Sequence, residues 1–79
     1  MTREELYEKF LKLSVKLDNL YNDSELDITD KQYNQLSNWI KNIAYVLGFE
    51  PSKFTDKQLQ TYMLTYRQAE TEVYSRYHK

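Results

Sequence analysis

Apolar residues recur at helical spacing in three stretches of the chain. Leu6, Phe10, Leu13, Leu17 and Leu20 follow one another at intervals of 4, 3, 4 and 3. That rhythm places them on one stripe of a helix. Tyr33, Leu36, Ile40, Ile43 and Leu47 repeat it at 3, 4, 3 and 4, with the small Ser37 and Ala44 beside them. Leu59, Tyr62, Tyr66, Ala69 and Val73 form a third stripe, widened by Met63, Glu70, Tyr74 and Tyr77. The pattern predicts helices over about 3–21, 30–47 and 56–77.

The starts of these helices are written in nearly the same letters. Ile28-Thr29-Asp30-Lys31-Gln32-Tyr33 recurs as Phe54-Thr55-Asp56-Lys57-Gln58-Leu59, and Met1-Thr2-Arg3-Glu4-Glu5-Leu6 is a looser copy. Each is a capping box: Thr accepts from free N–H groups, the Glu or Gln three residues on reaches back, and apolar flanks staple the turn. After the boxes the sequences diverge, so the repeat is capping chemistry rather than a duplication. At the other end of the second helix, Gly48 suits a left-handed C′ position, Phe49 the accompanying apolar contact, and Pro51 a stop. The third helix meets no breaker, so it is expected to be the longest, with a last turn that overhangs.

Residues 1–79 then form a single domain of the all-α class, an antiparallel three-helix bundle. Connections of this length suit antiparallel neighbours, and they are too long for a helix-turn-helix. The acids Asp23, Glu25 and Asp27 in the first connection suggest calcium. Counted from Asp23, however, the sixth and twelfth positions hold Ile28 and Asn34, where a calcium loop needs Gly and Glu. The plainer expectation is that Leu26 or Ile28 tucks this loop onto the core.

Composition narrows the function classes. The chain has 79 residues, no cysteine, one glycine, one proline and a net charge of −1. Disulfides are excluded, and no strong field draws nucleic acid. No cofactor is implied. The N-terminus lacks the basic and apolar regions of a signal peptide, and no run is long enough for a membrane span, so the expected location is cytoplasmic. Frequent Lys, Asn and Tyr with little Ala, Gly and Arg resemble coding in an AT-rich genome.

Catalysis finds no support. The sole imidazole, His78, stands next to last, where a helix end frays, and a single glycine permits no phosphate loop. Lys9, Lys12 and Lys16 line one flank of the first helix, one turn after Glu5 and Glu8, and are expected to be solvated and paired with those acids. Val15 points away from the stripe and, alone, needs no explanation.

The candidates for recognition are aromatic and apolar. Trp39, the single tryptophan, lies off its stripe near Gln35, Asn42 and Val46. It is open to two readings, a partner hot spot or a seal at the core edge. Leu64, Leu11 and Tyr45 lie off or at the edge of their stripes and suggest an exposed patch. Glu70 interrupts an apolar face, as a polar anchor for a ligand or as a boundary residue satisfied by tyrosine hydroxyls. The eight tyrosines are partly core, and Tyr74 and Tyr77 are placed to bind.

The expected function is a non-enzymatic protein-binding module. Its candidate surface is Trp39, Asn42, Tyr45, Val46, Leu64, Glu70, Tyr74 and Tyr77, and its expected state is a monomer or weak homo-oligomer. In general style only, such a chain resembles phage or mobile-element inhibitors and regulators of host proteins. The alternatives are nucleic-acid binding, through Lys9, Lys12 and Lys16 or the Arg67, Arg76 and Lys79 end, and structural self-association.

Overall fold

A threonine opens every helix of the protein. The computed structural model describes residues 2–49 and 54–78, with the side chain of Phe49 excepted. Within them lie α1 (Arg3–Asn22), α2 (Asp30–Phe49) and α3 (Asp56–Ser75). The Glu5 backbone N–H donates to Thr2 Oγ1 at 3.2 Å, and the Thr2 N–H donates to Glu5 Oε1 at 3.1 Å. The same reciprocal pair joins Thr29 to Gln32, at 3.1 and 3.0 Å, and Thr55 to Gln58, at 3.1 and 2.8 Å. Ile28 and Tyr33, like Phe54 and Leu59, pack against the core beside these boxes, as stapling residues do.

The predicted stripes meet in one core. Leu6, Phe10, Leu13 and Leu17 of α1 are buried with Ile40, Ala44 and Leu47 of α2 and Ala69 and Val73 of α3. Leu26 from the first connection is buried with them, and Ile28 packs against their edge. Tyr21 stacks on Tyr33 with centroids 3.9 Å apart, and Tyr7 lies against Gly48, so α1 and α2 are antiparallel. Phe10 meets Tyr66 edge-on at 5.3 Å and Lys16 lies over Tyr74 at 5.5 Å, so α3 runs parallel to α1. The protein is the expected antiparallel three-helix bundle.

Contact is unequal around the bundle. Helix α1 packs against both α2 and α3, closest to α2, whereas the backbones of α2 and α3 scarcely approach each other. The small Ser14 and Ser37 are buried along with Ala44, which lets α1 and α2 come close. On α3 only Ala69 and Val73 are fully buried. Leu59, Tyr62 and Tyr66 of the same stripe are half-buried.

Three helix ends differ from expectation. Gly48 is not left-handed; it lies within α2, which runs on to Phe49. The expected Phe49 contact and the Pro51 stop lie outside the described residues. The left-handed residue is instead Ser24, with φ 59°. There the Glu25 N–H donates to the Leu20 carbonyl at 2.8 Å and the Ser24 N–H donates to the Tyr21 carbonyl at 3.1 Å, which is a Schellman motif closing α1. A serine in that region pays about 1 kcal/mol that glycine avoids. Ser24→Gly is therefore expected to raise stability by roughly 0.5 kcal/mol after glycine's greater unfolded freedom is counted. Thermal melting checks this, and an unchanged or lower midpoint would count against the assigned strain.

The third correction concerns the C-terminus. Helix α3 stops at Ser75, so it is no longer than the other two, each of 20 residues. It does not overhang. The chain turns at Arg76 and pairs with the first connection: the Asp27 N–H donates to the Arg76 carbonyl at 2.8 Å and the His78 N–H donates to the Glu25 carbonyl at 2.7 Å. These bonds flank an antiparallel bridge between Leu26 and Tyr77. Tyr77 is half-buried against the core and lies beyond the end of α3 rather than on its face. His78 is likewise held through its backbone.

Candidate functional site

The divergence of α2 and α3 leaves a groove of about 910 Å³ between them. Its apolar floor is Leu36, Trp39 and Leu64; Gln32, Gln35, Gln68 and Thr71 add amide and hydroxyl groups, and Arg67, Glu72 and Arg76 add charge. Trp39 retains 37% of its accessible surface and Leu64 retains 60%. Trp39 thus keeps an accessible face on the groove. Arg76 Nε lies 3.6 Å from Glu72 Oε2. Arg67 makes no ion pair within 4 Å among the described residues, leaving the groove one net positive charge.

Only two of the eight candidate residues come together here. Trp39 and Leu64 line the groove, while Asn42 and Val46 lie further along the same face of α2, outside its lining. Tyr45, six positions beyond Trp39, points about 120° away from it. Glu70 and Tyr74 belong to the opposite flank of α3, against α1. There Glu70 accepts from the Tyr66 hydroxyl at 3.1 Å, and Lys16 covers the ring of Tyr74. The tyrosine donor expected for Glu70 is present, one turn away on its own helix.

The residues missed by sequence reasoning carried a legible signal. Gln32, Gln35 and Trp39 stand at i, i+3 and i+7, and Leu64, Gln68 and Thr71 at i, i+4 and i+7. Each set is one helix face. That the two faces border a common opening depends on how the helices are disposed around α1.

A second apolar strip lies on the outer face of α1, where Leu11, Val15 and Leu20 line a shallow depression with Lys12, Lys16 and Asn19. Val15 is therefore not isolated; Leu11 stands one turn before it and both are exposed. Nor are the lysines paired as expected. No ion pair within 4 Å joins Glu5 to Lys9 or Glu8 to Lys12 among the described residues. Lys9 instead lies 5.4 Å from the centroid of Tyr66 and Lys16 caps Tyr74. Such cation–π contacts hold these lysines against α3.

Two tyrosines are electrostatically perturbed, both at helix–helix seams. The Tyr33 hydroxyl donates to Asp18, whose other oxygen lies 3.8 Å from Lys41 Nζ. Donation to Asp18, with partial burial, pushes the phenol of Tyr33 up. Burial and the bond to Glu70 push Tyr66 up to about 12. An ordinary tyrosine titrates near about 10. The stability that Tyr66 contributes through its burial and this bond is whole below that pH and disappears as pH rises through the folded value. The wild type should therefore lose more stability than Tyr66→Phe between about pH 10 and 12. Urea unfolding across that range checks this, and parallel curves would remove the hydrogen bond from the account.

At each seam the perturbed hydroxyl donates to a carboxylate, Tyr33 to Asp18 and Tyr66 to Glu70. Among the described residues no helix is long and apolar enough to cross a membrane. Comparison with known protein families, with characterised proteins and with solved structures finds no match for this chain.

Proposed function

We propose that this chain is a non-enzymatic protein-binding module whose partner seats in the α2–α3 groove. The observation that carries the reading is the open seam itself. Both helices rest on α1 but not on each other, and Trp39 and Leu64 are left accessible between them. Aromatic residues at the centre of an apolar depression are the usual anchors of protein recognition. The setting we attach to it, inhibition or regulation of a host protein by a phage or mobile element, rests on composition alone.

Nucleic-acid binding has less support. Lys9 and Lys16 are seated over tyrosine rings, and Arg76 faces Glu72. Self-association remains open to sedimentation across a concentration series.

The test is capture from lysate of a low-GC bacterium, comparing wild type with Trp39→Ala, Leu64→Asp and Val15→Asp. A partner of the groove is retained by Val15→Asp and lost with both groove variants. Capture unaffected by the groove variants would place the binding surface elsewhere.

A further inference from the structure

We infer that the occupant of the α2–α3 groove is an amphipathic helix with acidic flanks, docking as a fourth helix of the bundle; this rests on the groove being the binding surface. The backbone argument comes first. An extended segment gains main-chain hydrogen bonds where it can join a sheet edge. Among the described residues the only strand-like pairing is the single bridge of Leu26 to Tyr77, and neither residue lines the groove. A helix satisfies its own backbone and needs only an apolar floor. The walls of the groove are two neighbouring helices, so its long axis follows theirs. From Leu64 to Arg76, the residue that caps α3, it runs 12 residue steps, about 18 Å at the rise of a helix. About three turns of a docked helix fill that length, presenting two or three apolar residues on one face.

Charge selects among such helices. The whole chain carries −1, yet the groove carries Arg67 without an ion-pair partner and Arg76 balanced by Glu72. Arg67 stands on the ridge between this groove and the small depression lined by Lys9 and Glu70. A carboxylate on the flank of the docked helix would therefore approach the guanidinium of Arg67, while a lysine there would be repelled. Arg in particular suits this role, because its fork can take a carboxylate with two parallel bonds.

Trp39 supplies the readout, being the single tryptophan of the chain and part of the groove floor. Two helical peptides of about 14 residues, just longer than the groove, share the same leucine stripe and differ only in glutamate or lysine flanks. Neither contains tryptophan. The glutamate peptide is expected to shift Trp39 emission to the blue, saturably, and to bind about tenfold tighter than the lysine peptide at low salt. The preference should shrink at high salt and fall to within about threefold in Arg67→Gln. Leu64→Asp should abolish the shift while circular dichroism shows the helices intact.

Equal affinity for the two peptides, or a preference that survives Arg67→Gln, overturns the proposal. So does an absence of response to either peptide. An emission change on concentrating the protein alone would mean that a second copy fills the groove, and would overturn it too. If the peptides fail but a captured protein still requires Trp39 and Leu64, the groove remains the binding surface and the acidic helix is the wrong occupant. If capture is also independent of those residues, both readings fall.

Discussion

Phe10→Ala is expected to leave the protein largely unfolded at room temperature. Phe10 is fully buried, sits on the helix that holds the other two together, and meets Tyr66 edge-on at 5.3 Å. Truncating a buried phenylalanine costs about 3–5 kcal/mol, from lost transfer free energy and the cavity left behind. A core of this size supplies only about 3–5 kcal/mol in total, and no disulfide is present to compensate. The loss would also remove the ring–ring contact of α3 with the middle of α1. Phe10→Leu keeps most of the volume and should cost no more than about 1.5 kcal/mol. Circular dichroism with urea titration separates the two. A folded Phe10→Ala with a midpoint near that of wild type would mean that α3 is not anchored through this residue.

Gly48→Ala should destabilise the protein even though alanine is the better helix former. A methyl group at Gly48 would collide with Tyr7 Cε1 and fall 2.7 Å from Cδ1 and 2.8 Å from Cζ. All three are atoms of one rigid ring, so the ring as a whole must move. Overpacking of this kind costs about 1–3 kcal/mol, while the gain in helix propensity is about 1 kcal/mol. Removing the ring reverses the balance. In a Tyr7→Ala background the colliding ring is gone, and Gly48→Ala should stabilise by up to about the propensity difference. The double-mutant cycle should thus show a coupling larger than about 1 kcal/mol with a change of sign. The same small effect of Gly48→Ala in both backgrounds would show that glycine is not there for Tyr7.

Gly48 also shows where sequence reasoning stops. A lone glycine after an apolar stripe and before a proline has the signature of a helix stop, and its conformation was expected to be left-handed. What it serves is an approach between α1 and α2, visible only when Tyr7 is known to lie opposite. Ser24 is the converse case. Nothing in its letter marks a left-handed residue, because serine tolerates that conformation only when a Schellman motif is completed around it. The clasp of Tyr77 on Leu26 was hidden for a related reason. Helical spacing carried the stripe on to Tyr77, but the carbonyl of Arg76 and the N–H of His78 find partners in a connection some fifty residues distant in the chain.

The candidate site divides along the same line. Trp39 and Leu64 were identifiable because each is a large apolar residue off the stripe of its own helix. Glu70 and Tyr74 looked similar on a helical wheel, yet they turn toward α1, where Tyr66 and Lys16 engage them.

By itself the sequence determined the local terms: three capped starts, the core-facing stripes of the three helices, and the all-α class. These follow from hydrogen bonds and periodicities that operate within one turn of chain. The tertiary structure alone decided that α3 rests on α1 while standing off from α2, and hence that a groove with one unpaired arginine opens between them. Periodicity shows which face of a helix is apolar. Which neighbour that face meets depends on side-chain volumes summed across three helices, where the small Ser14, Ser37 and Ala44 let α1 and α2 come together.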